Sequence, residues 1–197
     1  MGIEGREANL TKARLAQDAL GIEKAQFFCD DVRNLSVEKY GEFDVVLCLG
    51  IYYHLDAPDV FRFMEQIGSV CRRLAIVDTH VSFTADLYHT YGDLQLWGRN
   101  YKEFDPETAP DDRLKILWAS LDNPNSFWLT RPSLFNLIQH AGFSSIYECH
   151  SPFVAKFEEM RRAKINDRAT FVALKNQPVR LRSSDLSHDQ PLPTWPE

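Results

Sequence analysis

Apolar residues recur along the first eighty positions with spacings that predict alternating strands and helices. Gly2 to Glu4 reads as the end of a strand. Over residues 8–20, Leu10, Ala13, Ala16 and Leu20 share one side of a helix, with Lys12, Arg14, Gln17 and Asp18 elsewhere. Gly21 stands where a helix-ending glycine is expected. Residues 25–29 predict a short strand and residues 36–40 a single helical turn. Residues 44–49 form a near-continuous apolar run, the pattern of a parallel strand covered on both faces. Val60, Phe63, Met64, Ile67 and Val70 then mark an amphipathic helix over 59–71, and residues 74–78 the next buried strand. Such alternation implies right-handed crossovers and a parallel sheet.

After Val81 the rhythm breaks. Residues 82–128 are rich in aromatics, Asp, Asn and Pro, with no long periodic segment except around 113–121. They read as an insertion over the mouth of the sheet. Thr130 is positioned as an N-cap, with Pro132 in the first turn of a helix whose apolar face is Leu134, Leu137, Ile138 and Ala141, ended by Gly142. A strand over 143–149, a helix or helical connection over 154–164 and a last strand over 169–174 follow. The polar tail from Gln177 carries Pro178, Pro191, Pro193 and Pro196 and is expected to be disordered or loosely attached. The organisation is thus one α/β domain over 1–176, an inserted aromatic-rich cap at about 82–128, and a tail over 177–197, with no internal repeat.

Composition narrows the class. Hydrophobic residues make up 44% and charged residues 25%, as in soluble globular proteins. No apolar run approaches the ~20 residues needed to span a bilayer, and no basic-then-apolar signal opens the chain, so no membrane partner and a cytoplasmic location are expected. Cys29, Cys48, Cys71 and Cys149 are scattered, three of them in apolar contexts, which favours buried thiols over disulfides or a zinc site. A net charge of −6 does not favour general nucleic-acid binding. Arg161, Arg162, Lys164, Arg168, Arg180 and Arg182 keep a local basic patch open as an alternative.

The densest signal is Phe43-Asp44-Val45-Val46-Leu47-Cys48-Leu49-Gly50-Ile51-Tyr52-Tyr53-His54-Leu55-Asp56-Ala57-Pro58. An aspartate opens an apolar strand, a glycine closes it, and an aromatic-histidine turn leads to a helix start. With Gly2-Ile3-Glu4 and Cys29-Asp30-Asp31-Val32-Arg33-Asn34-Leu35 upstream, it resembles the middle of a class I S-adenosylmethionine-dependent methyltransferase. The resemblance implies a Rossmann-like sheet of order 3-2-1-4-5-7-6. It places the cofactor's ribose on Glu4, its adenine on the Asp31 carboxylate and the Val32 backbone N–H, and its methionine part along Cys48, Leu49 and Gly50. The family's first strand and glycine-rich loop have no counterpart after Met1. An N-terminally truncated copy with impaired activity is therefore expected, with an unpaired edge on the 44–49 strand through which chains could associate.

Ligands of open α/β sheets bind beyond the carboxyl ends of the strands, where His54 and His80 fall as candidate catalytic groups. Each could instead bond local backbone. His54, Asp78 and His80 match no metal-ligand spacing, so no metal is expected. Tyr53, Arg99, Tyr101 and Glu103 are the candidate substrate contacts, whereas Trp118 and Trp128 are expected in the insertion's own small core. The leading function is methyl transfer from S-adenosylmethionine to an O, N or C nucleophile of a small molecule. The alternatives are a modifier of transfer RNA, since similar G-x-x-Y-H-x-x-x-P turns occur in relatives of the wobble-uridine enzymes, and a non-catalytic partner subunit.

Overall fold

The computed structural model describes residues 1–149 and 167–175. Strand β1 (Gly2–Glu4), helix α1 (Glu7–Ala19) and strand β2 (Phe27–Cys29) form a small parallel crossover unit. Of the apolar side expected on α1 only Leu10 is buried, while Leu15 and Leu20 face outward. The short α2 (Val37–Tyr40) begins where Ser36 accepts the Lys39 N–H at 3.2 Å. A second unit follows: β3 (Phe43–Leu49), α3 (Asp59–Val70) and β4 (Cys71–His80), with β3 and β4 parallel.

The insertion is more regular than its sequence suggests. Strands β5 (Leu87–Tyr91) and β6 (Leu94–Lys102) make an antiparallel hairpin, α4 (Pro110–Lys115) follows, and β7 (Asn125–Leu129) completes a three-stranded sheet in the order β5-β6-β7. Thr130 caps α5 (Arg131–His140) as expected, its hydroxyl accepting the Ser133 N–H. Strands β8 (Ser145–Cys149) and β9 (Arg168–Leu174) close the main sheet, whose order is β3-β4-β9-β8 with β9 antiparallel to both neighbours. The expected helix over 154–164 and the tail from Gln177 lie outside the described residues.

One face of the main sheet carries the core. Cys48, Ala75, Val77, Ala169, Phe171 and Ala173 are buried there together with Val60, Phe63, Met64 and Ile67 of α3 and Leu134, Leu137 and Ile138 of α5. The opposite face corrects the expectation of a strand covered on both sides. Val45, Leu47 and Leu49 are 50%, 60% and 59% exposed, and among the described residues nothing lies over them. Side chains alternate across a strand, so burying Val46 and Cys48 against the helices turns these three outward. Among the described residues β3 pairs only with β4 and β1 only with β2, so each presents an open edge.

Helices α3 and α5 approach closely at Gly68. A Cβ built there would sit 2.1 Å from the Ala141 carbonyl oxygen, a backbone atom that cannot rotate away. Gly68→Ala is expected to lower stability by about 2–3 kcal/mol in spite of alanine's better helix propensity. The check is a drop in the urea midpoint with an unchanged slope.

Candidate active site

The carboxyl ends of β1, β2 and β3 border a cleft of about 340 Å³, within the range of small-molecule sites. Glu4, Gly5, Asp30, Asp31 and Val32 supply one side, Leu49, Gly50, Tyr53 and His54 the other, and residues 117–123 of the insertion form the roof. Arg168, at the start of β9, enters from the far side and donates to Asp78 through Nε at 2.8 Å. Gly50 has φ 75°, and a Cβ on it would stand 3.4 Å from the Arg168 guanidinium. That backbone conformation and the close neighbour both favour glycine here.

His54 is held from below. Its Nδ1 lies 3.0 Å from both carboxylate oxygens of Glu103, whose side chain is 1% exposed. A carboxylate can only accept, so Nδ1 carries the hydrogen and a neutral imidazole keeps its lone pair on Nε2. Glu103 Oε2 also accepts the Ser120 N–H at 3.0 Å. The turn bearing His54 (Tyr52–His54) is tied to the insertion by its carbonyls. Those of Tyr53, His54 and Leu55 accept from Trp128 Nε1, Asn123 Nδ2 and Phe127 N–H at 3.0, 2.9 and 2.9 Å.

His80 belongs to a separate aromatic assembly. Its Nδ1 contacts Asp167 at 2.7 Å, and its ring stacks on Trp128 at 4.7 Å. Tyr101 stacks on the same indole at 4.1 Å, Arg99 lies 4.8 Å from its centroid, and Tyr53 meets His80 edge-on at 4.5 Å. Tyr53 is the member of this assembly that reaches the cleft.

At the β1 and β2 ends of the cleft, Glu4 Oε1 accepts the Arg6 N–H at 2.8 Å. Asp31 takes the Arg33 N–H on Oδ1 at 2.8 Å and the guanidinium on Oδ2. Arg33 also pairs with Asp122 of the roof and lies 3.4 Å from Asp59. Its charge therefore links the roof, the 31–35 segment and α3. Asp30, the neighbouring carboxylate, is taken by Lys39, Tyr40 and Asn34.

These positions sort the residues singled out by sequence. Glu4, Asp31, Val32, Leu49, Gly50, Tyr53 and His54 converge on the cleft. Cys48 does not line it: the side chain is buried in the core, and burial pushes its thiol up to about 12. Glu103, expected to touch substrate, is buried behind His54 instead. Arg99, Tyr101 and His80 pack around Trp128 and are not among the cleft-lining residues. Trp128 is buried as expected, but Trp118 is 88% exposed on the roof. Of the cysteines only Cys48 and Cys71 are buried, and Cys29 and Cys149 are exposed thiols. Among the described residues no group of His, Cys, Asp and Glu is arranged to hold a metal. No described helix is long and apolar enough to cross a membrane.

Sequence reasoning missed Arg6, Arg33 and the roof residues Ser120, Asp122 and Asn123. Arg33 had a signal, standing two residues after Asp31 where a guanidinium can fold back onto the carboxylate. The contacts of Arg6 span more than a hundred residues, and local sequence carries no trace of them.

Solved structures with the same architecture give the fold its name. The N-terminal domain of EvdMO1, crystallised in the presence of SAH and D-fucose, matches with a TM-score of 0.64 at 24% identity over 89% of this chain and 64% of that one. The fold is that of the class I methyltransferases. A S-adenosylmethionine-dependent methyltransferase from Clostridium acetobutylicum ATCC 824 aligns at a TM-score of 0.52 and 14% identity, over 87% of this chain and 73% of that one. An O-methyltransferase family protein from Burkholderia thailandensis aligns at 0.52 and 12%, over 89% and 42%. The chain thus spans less than two thirds of the EvdMO1 domain. No family model matches the sequence, and no curated protein matches it. The main sheet β3-β4-β9-β8, with β9 antiparallel to both neighbours, has the order that the resemblance implies for strands 4-5-7-6.

The Asp31–Arg33 pair makes a pH prediction. Burial pushes the Asp31 carboxyl up, but the Arg33 guanidinium and backbone N–H outweigh it and hold the group below the usual carboxylate range. Such a carboxylate contributes stability that is complete above its unfolded pKa, about 3.9, and is lost as pH falls through the lower folded value. Asp31→Asn should therefore flatten the decline in stability between about pH 4 and about pH 2, read from urea midpoints at each pH. An acid limb as steep as that of the parent protein would contradict the pairing.

Proposed function

We propose that this chain transfers the methyl group of S-adenosylmethionine to a hydroxyl group of a small-molecule acceptor, with His54 as the base. The observation that carries the reading is the His54–Glu103 pair, set at the mouth of a cleft beyond the carboxyl ends of parallel strands in a methyltransferase fold. Methyl transfer needs mainly positioning, and a base is required only where the nucleophile must lose a proton. A buried carboxylate orienting an imidazole therefore favours a hydroxyl, which must give up its proton, over an acceptor that attacks without losing one first.

The residues at the cleft suit the cofactor. Glu4 ends β1 with its backbone-held carboxylate at the cleft, where it can accept from two ribose hydroxyls. Asp31 already receives Arg33, yet each carboxylate oxygen has two lone pairs, so acceptor capacity remains for an adenine amino group. Gly50 allows close approach at the end of β3. When bound, S-adenosylmethionine supplies a methyl group activated by its sulfonium charge. His54 Nε2 takes the acceptor's proton, and the imidazolium so formed is stabilised by Glu103 at 3.0 Å. Tyr53 and the roof line the cleft beside His54.

Calorimetry with S-adenosylhomocysteine tests the cofactor assignment. Binding in the micromolar range is expected, weakened about tenfold or more by Glu4→Gln, which loses a charge-assisted contact to the ribose. No heat at about 1 mM ligand would overturn the reading. His54→Asn should leave that affinity within about threefold while lowering methyl transfer to hydroxyl acceptors by roughly 10²- to 10⁴-fold. A labelled-methyl assay over phenols and deoxyhexoses provides the measurement.

A further inference from the structure

Arg6 lies far from His54 in sequence and touches neither the imidazole nor Glu103, yet its bonds lead to both. Its side chain is buried, with 7% of the residue exposed. Among the described residues its guanidinium meets only carbonyl oxygens, those of Ile116, Ala119 and Ser120, at 3.2, 2.7 and 3.4 Å. All three belong to one turn of the roof, closed by the Ala119 N–H donating to the Ile116 carbonyl.

The shortest of these bonds matters most, because the Ala119 carbonyl and the Ser120 N–H belong to a single peptide unit. A trans peptide is planar and points its C=O and N–H in opposite directions. Arg6 holds the carbonyl end at 2.7 Å, and Glu103 Oε2 receives the N–H end at 3.0 Å. The peptide dipole is therefore aligned between a guanidinium and a carboxylate, each of which strengthens the other's bond. From Glu103 the line continues to His54 Nδ1. The turn is fastened again where Ser120 Oγ donates to the Asn123 carbonyl and Asn123 Nδ2 to the His54 carbonyl.

We propose that Arg6 is a positioning residue for the His54 base: by fixing the Ala119–Ser120 peptide plane it sets the Glu103 carboxylate, and with it the imidazole tautomer that leaves Nε2 free to accept a proton. The inference deepens the methyltransferase reading and rests on it for the role of His54. The same residue gives its backbone N–H to Glu4, so one residue serves both the ribose end and the base end of the cleft.

The test reads the tautomer directly. Long-range proton–nitrogen correlation spectra of the full chain at alkaline pH distinguish the two neutral forms of His54, assigned through His54→Asn. The parent protein should show Nδ1–H, and Glu103→Gln, whose amide can donate to Nδ1, supplies the reference for the opposite form. Arg6→Met is expected to lower the Nδ1–H to Nε2–H ratio about fivefold or more, the scale of one hydrogen bond, and Arg6→Lys to restore part of it. The same variant should lower kcat for methyl transfer while S-adenosylhomocysteine affinity stays within about threefold. A folded Arg6→Met protein with the parent spectrum overturns the proposal, as does a mixed tautomer in the parent protein. Should Arg6→Met not fold, Ser120→Pro removes the N–H at the other end of the link, and an unchanged His54 spectrum there overturns it equally. Methyl transfer that survives His54→Asn sinks the base assignment by itself, since the tautomer is read without turnover.

Discussion

The site depends on the three consecutive carbonyls of Tyr53, His54 and Leu55 finding donors in the insertion. A short helical turn leaves its last carbonyls without internal partners, and each left buried and unmade costs about 1–3 kcal/mol. Trp128 Nε1, Asn123 Nδ2 and Phe127 N–H supply those donors. The insertion is thus joined to the main sheet rather than laid over it, and Leu96, Phe127 and Leu129 lie in the same apolar cluster as α3 and α5. Backbone and side chain of His54 are consequently fixed by the same element. Its carbonyl is held by Asn123 and its ring by Glu103, both from the insertion, while β3 determines only where the turn begins.

That division of labour fits the uneven burial of β3. Its core-facing residues Val46 and Cys48 pair in register with Ala75 and Val77, which fixes the height at which Gly50 and the His54 turn leave the sheet. The other face contributes nothing comparable among the described residues, since Val45, Leu47 and Leu49 remain more than half or about half exposed. Apolar side chains beside an open edge form a surface that favours pairing with further polypeptide. The parallel β1–β2 unit has an open edge of its own, and Glu4 and Gly50 at the two strand ends share one cleft. The roof bridges the two strand ends through Asp122 and Arg33 on one side and Asn123 and the His54 carbonyl on the other.

Much of the architecture was legible because it rests on local periodicity. The five-residue apolar stripe of α3, the Thr130 cap and the β3 run each state their element in a short window, and the strand ends then locate Glu4, Asp31, Gly50 and His54 by topology alone. The β5–β6 hairpin was missed despite the two-residue Gly92-Asp93 connection, because aromatic and polar residues alternate there without the aliphatic runs that mark the other strands. Glu103 could be named from its surroundings but not given its role, since the contact with His54 joins two elements whose approach only the tertiary fold determines. Trp118 shows the opposite failure. Its neighbours suggested a small core, but the turn pinned by Arg6 carries the indole outward.

The charges around the cleft explain why the Arg6 link matters more than its exposure would suggest. Among the described residues three guanidiniums line it, and two are met by carboxylates: Arg33 by Asp31, Asp59 and Asp122, and Arg168 by Asp78. Arg6 instead has carbonyl dipoles as its partners among the described residues. Its backbone N–H meets Glu4, and one peptide unit links its guanidinium to Glu103. Carbonyl partners over residues 116–120 let the guanidinium fix the backbone of the roof, and with it the peptide whose N–H Glu103 accepts.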